Sequence, residues 1–96
     1  MNCFVLDLSY LADVREIDAL MPAHRDFLAP HYADGTFLLS GRKEPRTGGL
    51  ILARGARDRI EAIVAQDPFT VAGVAAYTVT EFVPTTAGDE LAFLTV

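Results

Sequence analysis

The stretch TFLLSGRKEPRTGGLILAR, residues 36–54, holds two short apolar runs, TFLLSG (36–41) and GLILAR (49–54), on either side of a segment crowded with Gly, Pro and charge. Runs of this length bounded by turn residues read as strands, and the residues between them, 41–48, carry the glycines and proline that a turn needs. The pair is an antiparallel hairpin in the middle of the chain. What lies on each side of it decides the fold.

Upstream, residues 13–33 read as helix. Asp13 with Glu16 three positions later is a capping-box pattern, and Ile17, Leu20, Met21, Phe27 and Leu28 recur at helical spacing. Pro22 and Pro30 fall inside that run. Proline lacks a donor and clashes with the preceding turn, so the spacing predicts a break near Met21, a main helix opening at Pro22, and a kink or early end near Pro30. Before the helix, NCFVLDLS (2–9) alternates Phe4, Leu6 and Leu8 against Cys3, Val5 and Asp7, the period of a strand. Downstream, residues 56–66 form a second helix with Ile60, Ile63 and Val64 as its buried stripe, and VAAYTVTEFV (74–83) is a strand ended by Pro84. The tail, residues 84–96, ends in ELAFLTV and is too apolar to float free, so it is expected to pack on the domain or on a partner subunit.

Strand, helix, strand, strand, helix, strand is the split βαβ order of a ferredoxin-like α+β domain, here a single domain over residues 1–96. Right-handed crossovers place both helices on one face of a four-stranded antiparallel sheet. The other face, carrying Cys3, Val5 and alternate residues of GLILA and VAAYTV, is then bare, and a monomer tolerates only a few hundred square ångströms of such surface. A homodimer packed through the sheet face is the expected resolution.

Composition supports a shared core. The chain has 96 residues, 51% of them hydrophobic against 22% charged, while a domain of this size buries only roughly 65% of the surface its unfolded chain exposes. The net charge of −5 and pI near 4.7 repel phosphate backbones and anionic lipid, so no nucleic acid and no membrane is expected as a partner. No segment approaches the roughly 20 apolar residues that span a bilayer, and the N-terminus lacks a basic region followed by a long apolar run. Cys3 is the only cysteine and suits a reducing compartment. A soluble, cytoplasmic protein is expected.

Two polar residues interrupt the apolar stripes. Asp67 follows Ile60 by seven and Val64 by three, so helical spacing aims it inward, at a helix C-terminus where an acid is locally disfavoured. His24 follows Ile17 by seven and Met21 by three and sits mid-stripe in the first helix. A carboxylate beside an imidazole fixes its tautomer and raises its basicity, the arrangement of a general base. The alternative is a core histidine bonded to a backbone carbonyl, with Asp67 merely opening an Asp-Pro turn. His31 also falls on the first helix stripe and reads as a boundary or subunit-contact residue. At the end of the second strand, the Ser40 hydroxyl and Gly41 amide could hold a substrate oxygen, though Ser-Gly is also ordinary turn chemistry. Arg42, Lys43 and Arg46 form a small basic loop that would either attract an anionic substrate or stay solvated. Two histidines and one cysteine far apart form no metal pattern, and TGG lies in a hairpin instead of a phosphate-binding strand-to-helix turn.

HRDFL (24–28), FLLSG (37–41), PRTGGLILA (45–53), DPF (67–69) and EF (81–82) together resemble the YCII-related (YciI-like) family, over nearly the whole chain to Pro84. The resemblance implies a ferredoxin-like fold of the dimeric α/β-barrel superfamily, homodimers formed by packed sheets, and a pocket between sheet and helices. It also implies an active-site dyad matching His24 and Asp67, and a Ser-Gly pair matching Ser40 and Gly41. Arg42 departs from the family pattern, where many members have proline, so the pocket mouth is not carried over. Related dimeric barrels isomerise, eliminate from or oxidise small cyclic compounds. The expected function is therefore proton transfer on a small cyclic or carbonyl-bearing ligand, as an isomerase or lyase, with no metal and no organic cofactor. The alternative is a non-catalytic small-molecule-binding or accessory dimer whose His-Asp pair is structural.

Overall fold

The computed structural model describes residues 1–96. In chain order it contains β1 (Asn2–Tyr10), α1 (Val14–Ala33), β2 (Phe37–Arg42), β3 (Gly48–Gly55), α2 (Arg57–Ala65), α3 (Pro68–Val71) and β4 (Ala75–Phe82), with a short 3-10 helix at Asp89–Leu94. The sheet order is β2-β3-β1-β4 and every pair is antiparallel, the expected ferredoxin-like α+β arrangement. The edge strand β2 carries a bulge between Phe37 and Leu39.

Register sorts the two sheet faces. Leu6 lies opposite Ile51 and Val79, and Leu8 opposite Gly49 and Tyr77, so these residues share one face. That face meets the helices in two clusters. Phe4, Leu6, Phe37 and Ile51 pack with Ile60, Ile63 and Val64 of α2. Leu8 and Ala75 pack with Ile17 of α1, Phe69 of α3 and Val74. Each large side chain so buried contributes about 1.5–3 kcal/mol, so these two clusters are the main support of a small domain. Tyr77 packs against both clusters. A polar site built there sits at the seam of the core.

Helix α1 differs from expectation. It runs unbroken through Pro22 and Pro30 for 20 residues. Both prolines are exposed, so the carbonyls that lose their intrahelical donors face water, and packing through Ile17, Phe27 and Leu28 holds the axis together. Asp13 caps the helix as expected, accepting from the Arg15 amide at 2.8 Å. His31 lies in the last turn of α1. Its ring lies 5.3 Å from that of Phe27 and 5.1 Å from that of Phe37, inside the aromatic packing between α1 and β2.

The hairpin strands reach further into the turn than the apolar runs, since Arg42 belongs to β2 and Gly48 to β3. Gly48 is obligatory for packing: a Cβ there would stand 1.8 Å from the Leu8 carbonyl oxygen. Two loop cations are tied down, Lys43 to Asp7 at 2.6 Å and Arg46 to Asp18 of α1 at 2.5 Å. Arg46 also lies over the Tyr10 ring. The hairpin tip is thereby braced against the first helix.

The face away from the helices is less apolar than the alternation implies. Cys3 is buried, and the β4 residues on this face are Ala76, Thr78, Thr80 and Phe82. Its apolar part is a strip of Val5, Leu39, Leu50 and Leu52, where Leu39 is 68% exposed, with Phe82 beside Cys3 at the end of β4. The tail turns back on the domain: Leu94 is buried and the Val96 amide donates to the Pro84 carbonyl. No helix is long and apolar enough to cross a membrane.

Candidate active site

Asp67 is the pivot of the site, and its local structure corrects the reading of an acid at a helix C-terminus. Helix α2 stops at Ala65, and Asp67 opens the separate turn α3, with Pro68 at its first position. An acid is favoured at that N-cap, where its carboxylate satisfies an unpaired amide, here that of Phe69 at 2.9 Å. The inward direction expected from the α2 stripe is real, but the α3 cap produces it.

The carboxylate is fully buried, and several kcal/mol of desolvation must be offset by its partners. Three donors surround it. Oδ1 accepts from the Phe69 amide and lies 3.0 Å from Nδ1 of His24. Oδ2 accepts from the Tyr77 hydroxyl at 2.5 Å. A carboxylate only accepts, so Nδ1 carries the hydrogen, and in the neutral imidazole the lone pair is then on Nε2. The His24 ring is also stacked on Phe69, centroids 4.3 Å apart and planes 13° from parallel. Cap, hydrogen bond and stack together leave the imidazole one orientation.

Tyr77 was not singled out by its sequence pattern. It sits in β4 as one aromatic residue of an apolar strand, and only the register, opposite Leu8, turns it toward the helices. The available signal was the hydroxyl itself, because a tyrosine on a core-facing strand position needs a polar partner. Burial, then the adjacent Asp67 charge and the hydrogen bond to it, push the Tyr77 phenol far above the usual range, so it remains a donor.

The imidazole opens onto a cavity of about 180 Å³ between α1 and the sheet. Its wall includes Tyr10, Met21, His24, Phe69 and Tyr77 on one side and Ser40, Gly41 and Arg42 on the other. The sequence-derived candidates are therefore brought together around one space, with Asp67 behind His24. The His24 side chain retains 12% exposure. Tyr32 donates a short hydrogen bond to Ser40 Oγ, leaving the serine's own hydrogen free for another acceptor.

Gly41 enters differently from expectation. It lies opposite Leu50, two residues before Lys43, whose amide donates to the Gly48 carbonyl. Antiparallel ladders alternate bonded and non-bonded pairs, so the Gly41 amide points into the ladder and is not an oxygen-binding donor. The amides of Ser40 and Arg42 are the ones directed to the free edge of β2. Gly41 contributes room, since a Cβ there would meet nothing within 4 Å.

Sheet order, helices on one face and an apolar cavity lined by His24 and Tyr77 of a His-Asp-Tyr network define a ferredoxin-like α+β protein with a small-molecule-sized site. The YCII-related domain profile matches residues 4–83. This chain belongs to the YCII-related family. Among solved structures with this fold is 5-chloro-2-hydroxyhydroquinone dehydrochlorinase from Burkholderia phenoliruptrix AC1100, in complex with 2,5-dihydroxybenzoquinone. It is 20% identical, with a TM-score of 0.75 over 86% of this chain and 95% of that one. No curated protein sequence matches the chain.

Proposed function

We propose that the protein is an enzyme that moves a proton on a small cyclic or carbonyl-bearing compound, as an isomerase or lyase. The observation that carries this reading is the His24 imidazole, fixed at Nδ1 by Asp67 at 3.0 Å while its ring lines an open cavity. A structural pair would be expected sealed in the core. In the proposed mechanism Nε2 of His24 takes a proton from the substrate and returns it at another atom or to the leaving group. Asp67 orients the ring and balances the imidazolium, and Tyr77 and the Phe69 amide hold Asp67 in place. Ser40, its oxygen already accepting from Tyr32, donates to a substrate oxygen on which negative charge develops. These groups suffice for proton transfer.

The dehydrochlorinase of the same fold acts on a ring compound and is complexed with another, in keeping with a single-ring substrate here. Two copies of the chain are proposed to pair through the apolar strip Val5, Leu39, Leu50 and Leu52 of the open sheet face.

The test is a panel of small lactones, enols and phenols screened for turnover and for occupancy of the cavity in crystals, followed by assay of His24→Ala. Loss of a general base lowers kcat by about 10²–10⁴-fold. Ligand binding with unchanged turnover in that variant removes His24 from the mechanism.

A further inference from the structure

Five of the chain's eight basic side chains are spent in ion pairs. Arg15 meets Asp13, Lys43 meets Asp7, Arg46 meets Asp18, Arg57 meets Glu61 and Glu81, and Arg59 meets Asp34. The three without a carboxylate partner are Arg25, Arg42 and Arg54. Arg54 lies at another part of the surface, beside Asp34 and Thr36. Arg25 and Arg42, from α1 and from the edge strand β2, both line the cavity that His24 faces.

This placement runs against the protein's composition. Thirteen acidic residues outnumber the basic ones, and the net charge is −5, yet no Asp or Glu stands in the cavity wall. Asp67, just behind the wall, has both oxygens occupied by His24, Tyr77 and the Phe69 amide. Two arginines without a carboxylate partner thus line a small space whose other lining is largely apolar, and both stay solvent-exposed at its edge. Low-dielectric walls strengthen their field inside that space. The guanidinium fork matches a planar oxyanion in shape as well as charge. The volume, about 180 Å³, is below the roughly 300–1,000 Å³ of sites for drug-sized ligands and suits one ring.

We propose that the cavity selects a single-ring compound carrying a carboxylate, and that Arg25 and Arg42 bind that group. The inference rests on the proposed function and supplies its substrate class. Arg25 and Arg42 hold the charged end while the atom that exchanges a proton faces Nε2 of His24. The two arginines determine specificity, and His24 carries the chemistry.

Benzoate and benzamide have nearly the same shape and differ in charge, and binding of each to the full-length protein is measurable by NMR, following the His24 ring and the Ser40 to Arg42 amides. Benzoate is expected to bind about tenfold more tightly than benzamide, as one charge-assisted contact supplies. Arg25→Gln and Arg42→Gln are each expected to shrink that preference while leaving benzamide binding within about twofold. Arg54→Gln, which removes the same charge elsewhere, is expected to preserve it. Equal affinity for the two ligands overturns the proposal, as does a preference unchanged in both cavity variants or one lost equally in Arg54→Gln. In those cases the His24 signals still shift, so the cavity reading survives. Absence of any His24 shift with either ligand overturns both.

Discussion

The Tyr77 hydroxyl donates to Oδ2 of Asp67 at 2.5 Å, and this contact joins the second oxygen of a buried carboxylate to the last strand of the sheet. It makes Asp67 a structural keystone as well as the orienting partner of His24. Asp67→Ala leaves the Tyr77 hydroxyl and the Phe69 amide without an acceptor in the core. A loss of about 3–5 kcal/mol is expected in urea or guanidinium unfolding. Asp67→Asn, nearly the same shape, is expected to retain more stability than Asp67→Ala while removing the charge that stabilises the imidazolium. A stable Asp67→Ala variant would show that the network contributes little to folding.

Tyr77 also predicts an alkaline limit. Its folded phenol is raised above the ordinary value of 10.0, chiefly by burial and then by Asp67, so the unfolded chain releases this proton first. The contribution is fully present below about pH 10 and is lost as the pH rises beyond it. Tyr77→Phe is expected to cost about 1–3 kcal/mol at neutral pH by stranding Oδ2. The same change should flatten the fall in stability above pH 10, measured as unfolding midpoints across pH 8–11.

An acid limit is expected from Asp34 at the end of α1. The Thr36 hydroxyl and amide, followed by the Arg59 guanidinium, hold its carboxyl down at about 2, against an ordinary value of 3.8. For a depressed carboxyl the unfolded chain binds the proton first as the pH falls. Its stabilisation is present above about pH 4 and is lost toward pH 2. Asp34→Asn should reduce the pH dependence of the unfolding midpoint in that window and leave the dependence above pH 10 unchanged.

Gly48→Ala tests the close approach of β3 to β1. The new methyl would collide with backbone, the Leu8 carbonyl at 1.8 Å, and backbone in a central strand pair cannot swing aside. A destabilisation of about 2 kcal/mol or more is expected, against about 0.5 kcal/mol or less for Gly88→Ala, where a methyl meets nothing within 4 Å.

Pairing through the open sheet face is tested by Leu39→Glu combined with Leu52→Glu, both outside the helix-facing core. The wild-type protein is expected to elute with the mass of a dimer in light-scattering chromatography and the double variant with that of a folded monomer. A monomeric wild-type protein at micromolar concentration contradicts the pairing.

Local chemistry in the sequence was enough for the architecture. Strand alternation in NCFVLDLS, the hairpin punctuation of residues 41–48 and the stripes of two helices are short-range signals. Together they admit one order of elements, which the sheet reproduces. His24 and Asp67 were legible because a polar residue on an apolar stripe is conspicuous in one dimension. The continuity of α1 was not, since whether a proline breaks a helix depends on which carbonyls face water and what holds the axis from below. Nor was the α3 cap, because Asp67 reads as the end of one helix until the chain is seen to turn into another.

What only tertiary structure decided is who meets whom. The 3.0 Å contact of His24 with Asp67 spans 43 positions of sequence, and the Tyr77 contact depends on a sheet register that turns one strand residue in two toward the helices. The sequence likewise displays Arg25, Arg42, Lys43 and Arg46 as equal charges. Folding pairs the last two with Asp7 and Asp18 and leaves the first two unpaired along the cavity wall, because ion pairing is decided by distance in space. Composition and periodicity determined which residues could do chemistry, and packing selected the ones placed to do it.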